Sequence, residues 1–370
     1  MDMHAMTLND LERRSGRDVF IVAEIGKNFI VTEEEESVET LLRRAQLLVD
    51  AAVDAGVDAV KFQTHHVADE QLNIPIVSPH FPANDRYRWV ERNTRQTPMD
   101  AFWRPLSIYC AEKHMRMFTT PMSKGAAIQM SELGMSLWKV GSADVLDYLL
   151  LDTLVSFKKP IIISTGMVSR QELQAVMQHL ARARVTPIIL YCVSQYPCPP
   201  EVFNLASIQY LKDAYPHAIV GFSDHSLGMD VALAAIKIGA RMIEKHFSLS
   251  RDAWGPDHKV SMLPHEMKEL VRAVRSGTYV AASPEAFYGD IDKEFEGAHN
   301  TFRPFFNKSL VVVRDIREGE TIEETDLAAM RPRALIPGAL AQDYAELVGK
   351  QVMHALTQFS PITLTDVKLL

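Results

Sequence analysis

Eight times along residues 19–275, a short apolar run ends in polar side chains and is followed by a stretch with helical spacing. No other feature narrows the fold as far. The runs at 19–24, 59–62, 115–119, 137–140, 160–164, 187–191, 218–221 and 240–244 are short and rich in Val, Ile and other apolar residues, as buried parallel strands are. The stretches at 37–56, 100–114, 124–133, 145–157, 170–183, 205–214, 229–238 and 264–275 follow them. In the first of these, Val38, Leu41, Leu42, Ala45, Leu48 and Val49 share one helical face, and Gly56 supplies a stop. Eight βα units predict an α/β fold with a parallel sheet covered by helices. The sheet is either closed into a (β/α)8 TIM barrel or left open and doubly wound. The count of eight and a span near the typical length of about 250 residues favour the barrel. No G-x-G-x-x-G or G-x-x-x-x-G-K turn follows the first run, so a nucleotide-binding sheet has no support.

Two stretches break the rhythm. Residues 67–98 form a second βα-loop containing Pro75, Pro79, Pro82 and Pro98, too long for a plain connector. After Gly277 the chain reads as loop until Asn307, and strand-like runs then resume around a tight Glu318-Gly319 turn. The expected division is a barrel domain over 1–285, a linker over 286–306 and a small β-rich domain over 307–370. So short a tail is near the lower size limit for folding alone, and contact with a barrel or a partner subunit is expected.

The 370 residues are 47% apolar, enough for a large core, and the net charge of −8 gives no footing for nucleic acid. Cys110, Cys192 and Cys198 are too few and too irregular for a disulfide framework and fit a reducing compartment. The first twenty residues carry Asp2, Asp10, Glu12, Arg13 and Arg14 and no apolar signal core. No run suits a membrane span, and the expected address is the cytoplasm.

In a barrel, the carboxyl ends of the strands converge on the catalytic face. Read in order they present Glu24, Lys61, Gln63, Thr119, Thr120, Lys139, Ser142, Ser164, Thr165, Ser194, Tyr196, Ser223, Asp224, His225, Glu244, Lys245 and His246. Three lysines among short hydroxyls predict a pocket for a phosphate or carboxylate. His225 and His246 end adjacent strands, so they can share one divalent metal, with water or substrate completing the shell. Asp224, Glu244 and Asp257 flank that pair, and His65 and His258 are placed to touch the site. Either histidine alone would read as a satisfied core residue or a proton donor.

The motifs Ala23-Glu-Ile-Gly, Val60-Lys-Phe-Gln-Thr64, Trp138-Lys-Val-Gly-Ser142, Ser164-Thr-Gly-Met167, Gly221-Phe-Ser-Asp-His225, Ile243-Glu-Lys-His-Phe247 and Trp254-Gly-Pro-Asp-His-Lys259, in this order, resemble the sialic acid synthase family. Residues 308–370, with Asp315-Ile-Arg-Glu-Gly-Glu320 and Met330-Arg-Pro332, look like its antifreeze-like (SAF) domain. The resemblance implies condensation of phosphoenolpyruvate with an N-acylhexosamine-type aldose to a nine-carbon 2-keto-3-deoxy acid and phosphate. It also implies manganese or magnesium on His225 and His246. Lys61, Thr120, Lys139, Ser142, Ser164, Ser194 and Ser223 would then hold phosphoenolpyruvate, and Gln63, Asp144, Tyr196 and Asp257 would face the sugar. Glu24, with Glu244 second, would handle the water. Arg331 would reach the sugar from the partner's tail in a domain-swapped homodimer.

The departures fall on the sugar side. The usual Asn-His-Asn-Gly is here Asn28-Phe-Ile-Val, followed by an acidic run at 33–36 that reads as a solvated helix entrance with Thr32 or Glu33 near the cap. Asp144 stands where the family carries glutamate, one methylene longer. The long loop adds Arg86, Arg88, Arg92 and Arg95, which either answer a more polar or phosphorylated sugar or form a charged surface. Two rival functions stay open: a related phosphoenolpyruvate-dependent synthase with another acceptor, and a catalytically silent sugar-binding barrel.

Overall fold

A computed structural model describes residues 19–81 and 84–368. The charged N-terminal residues Asp2 to Arg14, and Pro82, lie outside them. Eight parallel strands close into a barrel: β1 (Phe20–Gly26), β2 (Ala59–Thr64), β3 (Arg116–Pro121), β4 (Trp138–Val140), β5 (Ile161–Ser164), β6 (Ile188–Cys192), β7 (Val220–Asp224) and β8 (Met242–His246). Closure comes from β1 lying parallel to β8, with Phe20 opposite Met242 and Glu24 opposite His246. The open-sheet alternative is thereby removed. Most strand residues are fully buried because the interior of the barrel and the helices outside cover both faces.

The helix Val38–Ala55 shows how local sequence sets the frame. Ser37 caps it by accepting from the Thr40 N–H, worth about 1 kcal/mol, and Gly56 stops it at φ 81°, a conformation that glycine adopts at little cost. Leu41, Ala45, Leu48, Val49 and Ala52 bury the inward face. Each fully buried leucine or valine contributes roughly 1.5–3 kcal/mol. The acidic run before this helix is not the cap. Arg92 donates to the Glu33 and Glu34 carbonyls, Arg95 pairs with Glu35, and Arg44 pairs with Glu36 at 2.7 Å.

The long second loop is partly structured. It carries a helix, Arg86–Gln96, capped by Asp85, which sequence spacing did not distinguish because its buried face mixes Trp89 and Val90 with Arg92, Asn93 and Gln96. Phe81, Trp89 and Trp254 meet edge to face and fix this loop over the barrel mouth.

After the last barrel helix, Pro264–Arg275, short helical turns lead to Phe306. The tail then pairs β9 (Ser309–Val312) with β10 (Leu327–Met330) in antiparallel register. Its small core of Leu310, Val312, Ile322, Leu347 and Ile362 includes Leu149 of the fourth barrel helix. Val311, Met330 and Ile336 pack against Leu72 and Ile74 of the long loop. The tail therefore rests on its own barrel. Among the described residues no helix is long and apolar enough to cross a membrane, and all three cysteines are buried and free.

Candidate active site

Strand alternation decides which of the polar strand ends face inward. On β8, Glu244 and His246 line the cavity while Lys245 points to the opposite side, where its ammonium sits 2.7 Å from Asp224 and also bonds Ser226. On β7 and just beyond, Ser223 and His225 face in. Two of the three expected lysines therefore enter the cup. Lys245 and Asp224 instead form a buried pair outside it. Thr119 and Thr165 are likewise spent on structure, bonding Thr64 and the Cys192 N–H.

The remaining expected residues converge. Glu24, Lys61, Gln63, Thr120, Lys139, Ser142, Asp144, Ser164, Ser194, Tyr196, Ser223, His225, Glu244, His246, Asp257 and Arg331 all line one cavity of about 910 Å³, open at its mouth. At its floor Lys61 Nζ lies 2.7 Å from Glu24 and 3.7 Å from Glu244 and donates to Thr120. Lys139 Nζ is 3.4 Å from Glu244, which also accepts from Ser223 at 3.0 Å. Gly166 lets the strand-5 loop pass close to this floor. A Cβ there would stand 2.8 Å from the Ser142 and Cys192 side chains and closer still to Ser194.

The two glutamates divide their proton affinity. Burial pushes Glu24 up to about 7, with only Lys61 close enough to oppose it strongly. Burial acts on Glu244 too, but Lys139, Lys61 and the Ser223 hydroxyl outweigh it and bring it to about 2. Glu24 is therefore the acid poised near neutrality, a property common at catalytic groups.

His225 and His246 face each other with ring centres 5.4 Å apart. His225 Nδ1 pairs with the Val193 carbonyl at 2.7 Å, leaving Nε2 as its lone-pair nitrogen. His246 is held neutral, burial drawing it down to about 3, and its Nδ1 has no hydrogen-bond partner, with Asp257 at 3.9 Å. A neutral His246 with His225 beside it, next to the Asp257 carboxylate, suits a divalent ion. Among the described residues no cluster of three or more protein ligands forms, so most of the shell would be water or substrate oxygen.

Arg331 enters the cup of its own chain and is 1% exposed. It bonds Glu70 at 2.9 Å and Asp144, while Lys308 holds Asp144 at 2.9 Å and Asp147 at 2.8 Å. The Asp144 Oδ2 atom keeps no partner and remains an acceptor on the cavity wall. The exchange of tails implied by the resemblance is not needed here to bring this arginine to the site. His65 touches the site only through Glu70, at 2.7 Å, and His258 is occupied by Ser248 and the Ile30 carbonyl.

Several lining residues carried no sequence signal. His80, from the long loop, bonds Asp257 at 3.0 Å and lies against Tyr196, with ring centres 4.4 Å apart. Phe302 and Phe306 close the wall behind it. Lys27, one residue past β1, also faces in; a lysine breaking an apolar run could have marked it.

Buried lysines, split glutamates and paired imidazoles at the carboxyl end of a closed βα barrel define a site of the kind barrel enzymes use. The chain belongs to the NeuB family, which it matches over residues 48–284, and it matches the SAF domain over 307–368. It is 30% identical to the N,N'-diacetyllegionaminic acid synthase of Campylobacter jejuni, over 88% of this chain and 95% of that protein. It is 28% identical to the N-acetylneuraminate-9-phosphate synthase of Drosophila melanogaster, over 96% of this chain and 98% of that one. The solved spore coat polysaccharide biosynthesis protein SpsE of Bacillus subtilis superposes with a TM-score of 0.75 at 28% identity, covering 95% of this chain and 96% of that one.

Proposed function

We propose that this chain is a nonulosonic acid synthase, a transferase that condenses phosphoenolpyruvate with an open-chain N-acylhexosamine-type aldose. The products are a nine-carbon 2-keto-3-deoxy acid and inorganic phosphate. The observation that carries this reading is the apposition, in one cavity, of the Lys61–Glu24 and Lys139–Glu244 floor with the His225–His246 pair.

Lys61 and Lys139, with the hydroxyls of Thr120, Ser142, Ser164, Ser194 and Ser223, suit the phosphate and carboxylate of phosphoenolpyruvate. The Ser164 hydroxyl is buried without a partner, as expected of a donor reserved for ligand. Gln63, Asp144, Tyr196, Asp257 and Arg331 face the aldose. The enol carbon attacks the aldehyde carbon, water adds at the adjacent carbon, and cleavage of its bond to the phosphate oxygen releases phosphate. A divalent cation, manganese or magnesium, on His225 and His246 would supply Lewis acidity at the aldehyde oxygen. Glu24 takes the proton from the attacking water, and Glu244 holds the lysines in place.

Phosphate release should require phosphoenolpyruvate, aldose and divalent metal together, stop with a chelator, and return with added manganese or magnesium. Release without aldose would sink the synthase reading, and binding without any release would favour a silent barrel. The pH profile tests the assignment of the base. Glu24 acts as carboxylate, so kcat/KM should rise with pH through about 7 as that group ionises. Glu24→Gln should lose about 10²-fold or more and abolish that rising limb. An unchanged limb in the variant assigns it to another group.

A further inference from the structure

Lys27, Arg86 and His80 line the same cavity, and Glu70 lies within electrostatic reach of both Lys27 and Arg86. Each carries a buried nitrogen with no hydrogen-bond partner: Lys27 Nζ, Arg86 Nε and His80 Nδ1. Of the two carboxylates that reach Lys27 electrostatically, Glu70 is taken up by His65 and Arg331 and Glu24 by Lys61. Arg86 reaches Glu70 only at 3.6 Å and lies over the Phe306 ring at 5.0 Å. Among the described residues no carboxylate comes within ion-pair distance of Lys27, which is 3% exposed.

The Lys27 ammonium lies 5.3 Å from the Trp103 ring and 5.7 Å from the Phe29 ring. Ring faces are weak partners for a buried ammonium, so Lys27 keeps its donors for an anionic ligand.

Resting on the synthase reading, we propose that the acceptor aldose carries an anionic substituent, phosphate or carboxylate, and that Lys27 and Arg86 hold it beneath the long loop. Burial lowers the Lys27 ammonium to about 7 in the empty cavity, with Glu70 and Glu24 opposing, so an anion beside it would restore its full charge. Arg86, lowered by burial only to about 10, stays charged throughout. The other loop arginines do not take part: Arg92 and Arg95 bind the acidic run at 33–36, and Arg88 is exposed.

The test compares N-acetylmannosamine, its 6-phosphate and its 6-carboxylate (uronic) form as acceptors, with the metal-loaded native enzyme and with Lys27→Met and Arg86→Gln. Formation of the 2-keto acid and calorimetric binding are both read. One anionic acceptor should exceed the neutral sugar in kcat/KM by about 10²-fold, and which one it is separates phosphate from carboxylate. In Lys27→Met that preference should fall at least about tenfold, and Arg86→Gln should lower it in the same direction. A native preference for the neutral sugar, or an unchanged ratio in Lys27→Met, overturns the proposal while leaving the synthase reading intact. If no aldose is turned over, the synthase reading falls. Lys27-dependent binding of the anionic sugar would then keep the anion site, and binding that ignores Lys27 would remove it.

Discussion

Lys61→Met should lower kcat/KM for the condensation by about 10³-fold, the upper range for removing one charged donor from a preorganised site. The ammonium bridges both glutamates and is held above its usual range: burial would lower it, but Glu24 and Glu244 outweigh that. Its loss leaves two carboxylates with one lysine between them. The protein should nevertheless fold. Breaking a buried pair ordinarily costs about 3–5 kcal/mol because a charge is stranded. Here Glu24, already near 7 through burial, escapes that cost by taking up a proton. Thermal unfolding close to native with activity near background is therefore the expected pair of results. A Lys61→Met enzyme retaining more than about a tenth of native kcat/KM would show that the lysine serves the fold rather than the substrate.

Arg331→Ala has its largest effect on stability. Glu70 is drawn down to about 2, burial being outweighed by His65, Arg331 and Arg86, and it has no solvent to turn to. Asp144 is equally enclosed. Removing the guanidinium leaves Glu70 to His65 and Asp144 to Lys308, each short of one charged donor in a buried network. The loss should cost about 3–5 kcal/mol, read as a lower denaturation midpoint and earlier proteolysis of the tail. A change under about 1 kcal/mol would mean that the interface does not depend on this network. The same variant reports which barrel a tail serves. Each tail fills its own cup here, with Arg331 donating to the Phe306 carbonyl and accepting from Leu72 N at 2.9 Å. Arg331→Ala mixed with His246→Ala should then regain no activity. Recovery on mixing would mean that tails are exchanged between subunits.

Much of the site could be read directly because polar groups at the ends of apolar strands are costly and therefore conspicuous. Glu24, Lys61, Lys139, His225, Glu244 and His246 were visible for that reason, and they do meet. Lys245 was equally visible and misleading. Position in a run does not say which way a side chain faces until the register of the closed sheet is known, and Lys245 faces Asp224 instead. The acidic run at 33–36 is solvated as its composition suggests, with Glu33 to Glu35 exposed. Its partners Arg92 and Arg95, about sixty positions further on, could not be read locally.

The sequence by itself determined the eight βα units, the stop of the first helix at Gly56, and the collection of ammonium, carboxylate and imidazole groups at the strand ends. These depend on periodicity and on neighbours within a few residues. Only the tertiary structure decided that Lys245 leaves the cup, that His80 and Arg86 descend into it from the long loop, and that Arg331 locks against Glu70 and Asp144. Each of those contacts joins elements far apart in the chain. It depends on how the loop and the tail pack over the barrel mouth, and no local pattern of residues encodes that packing.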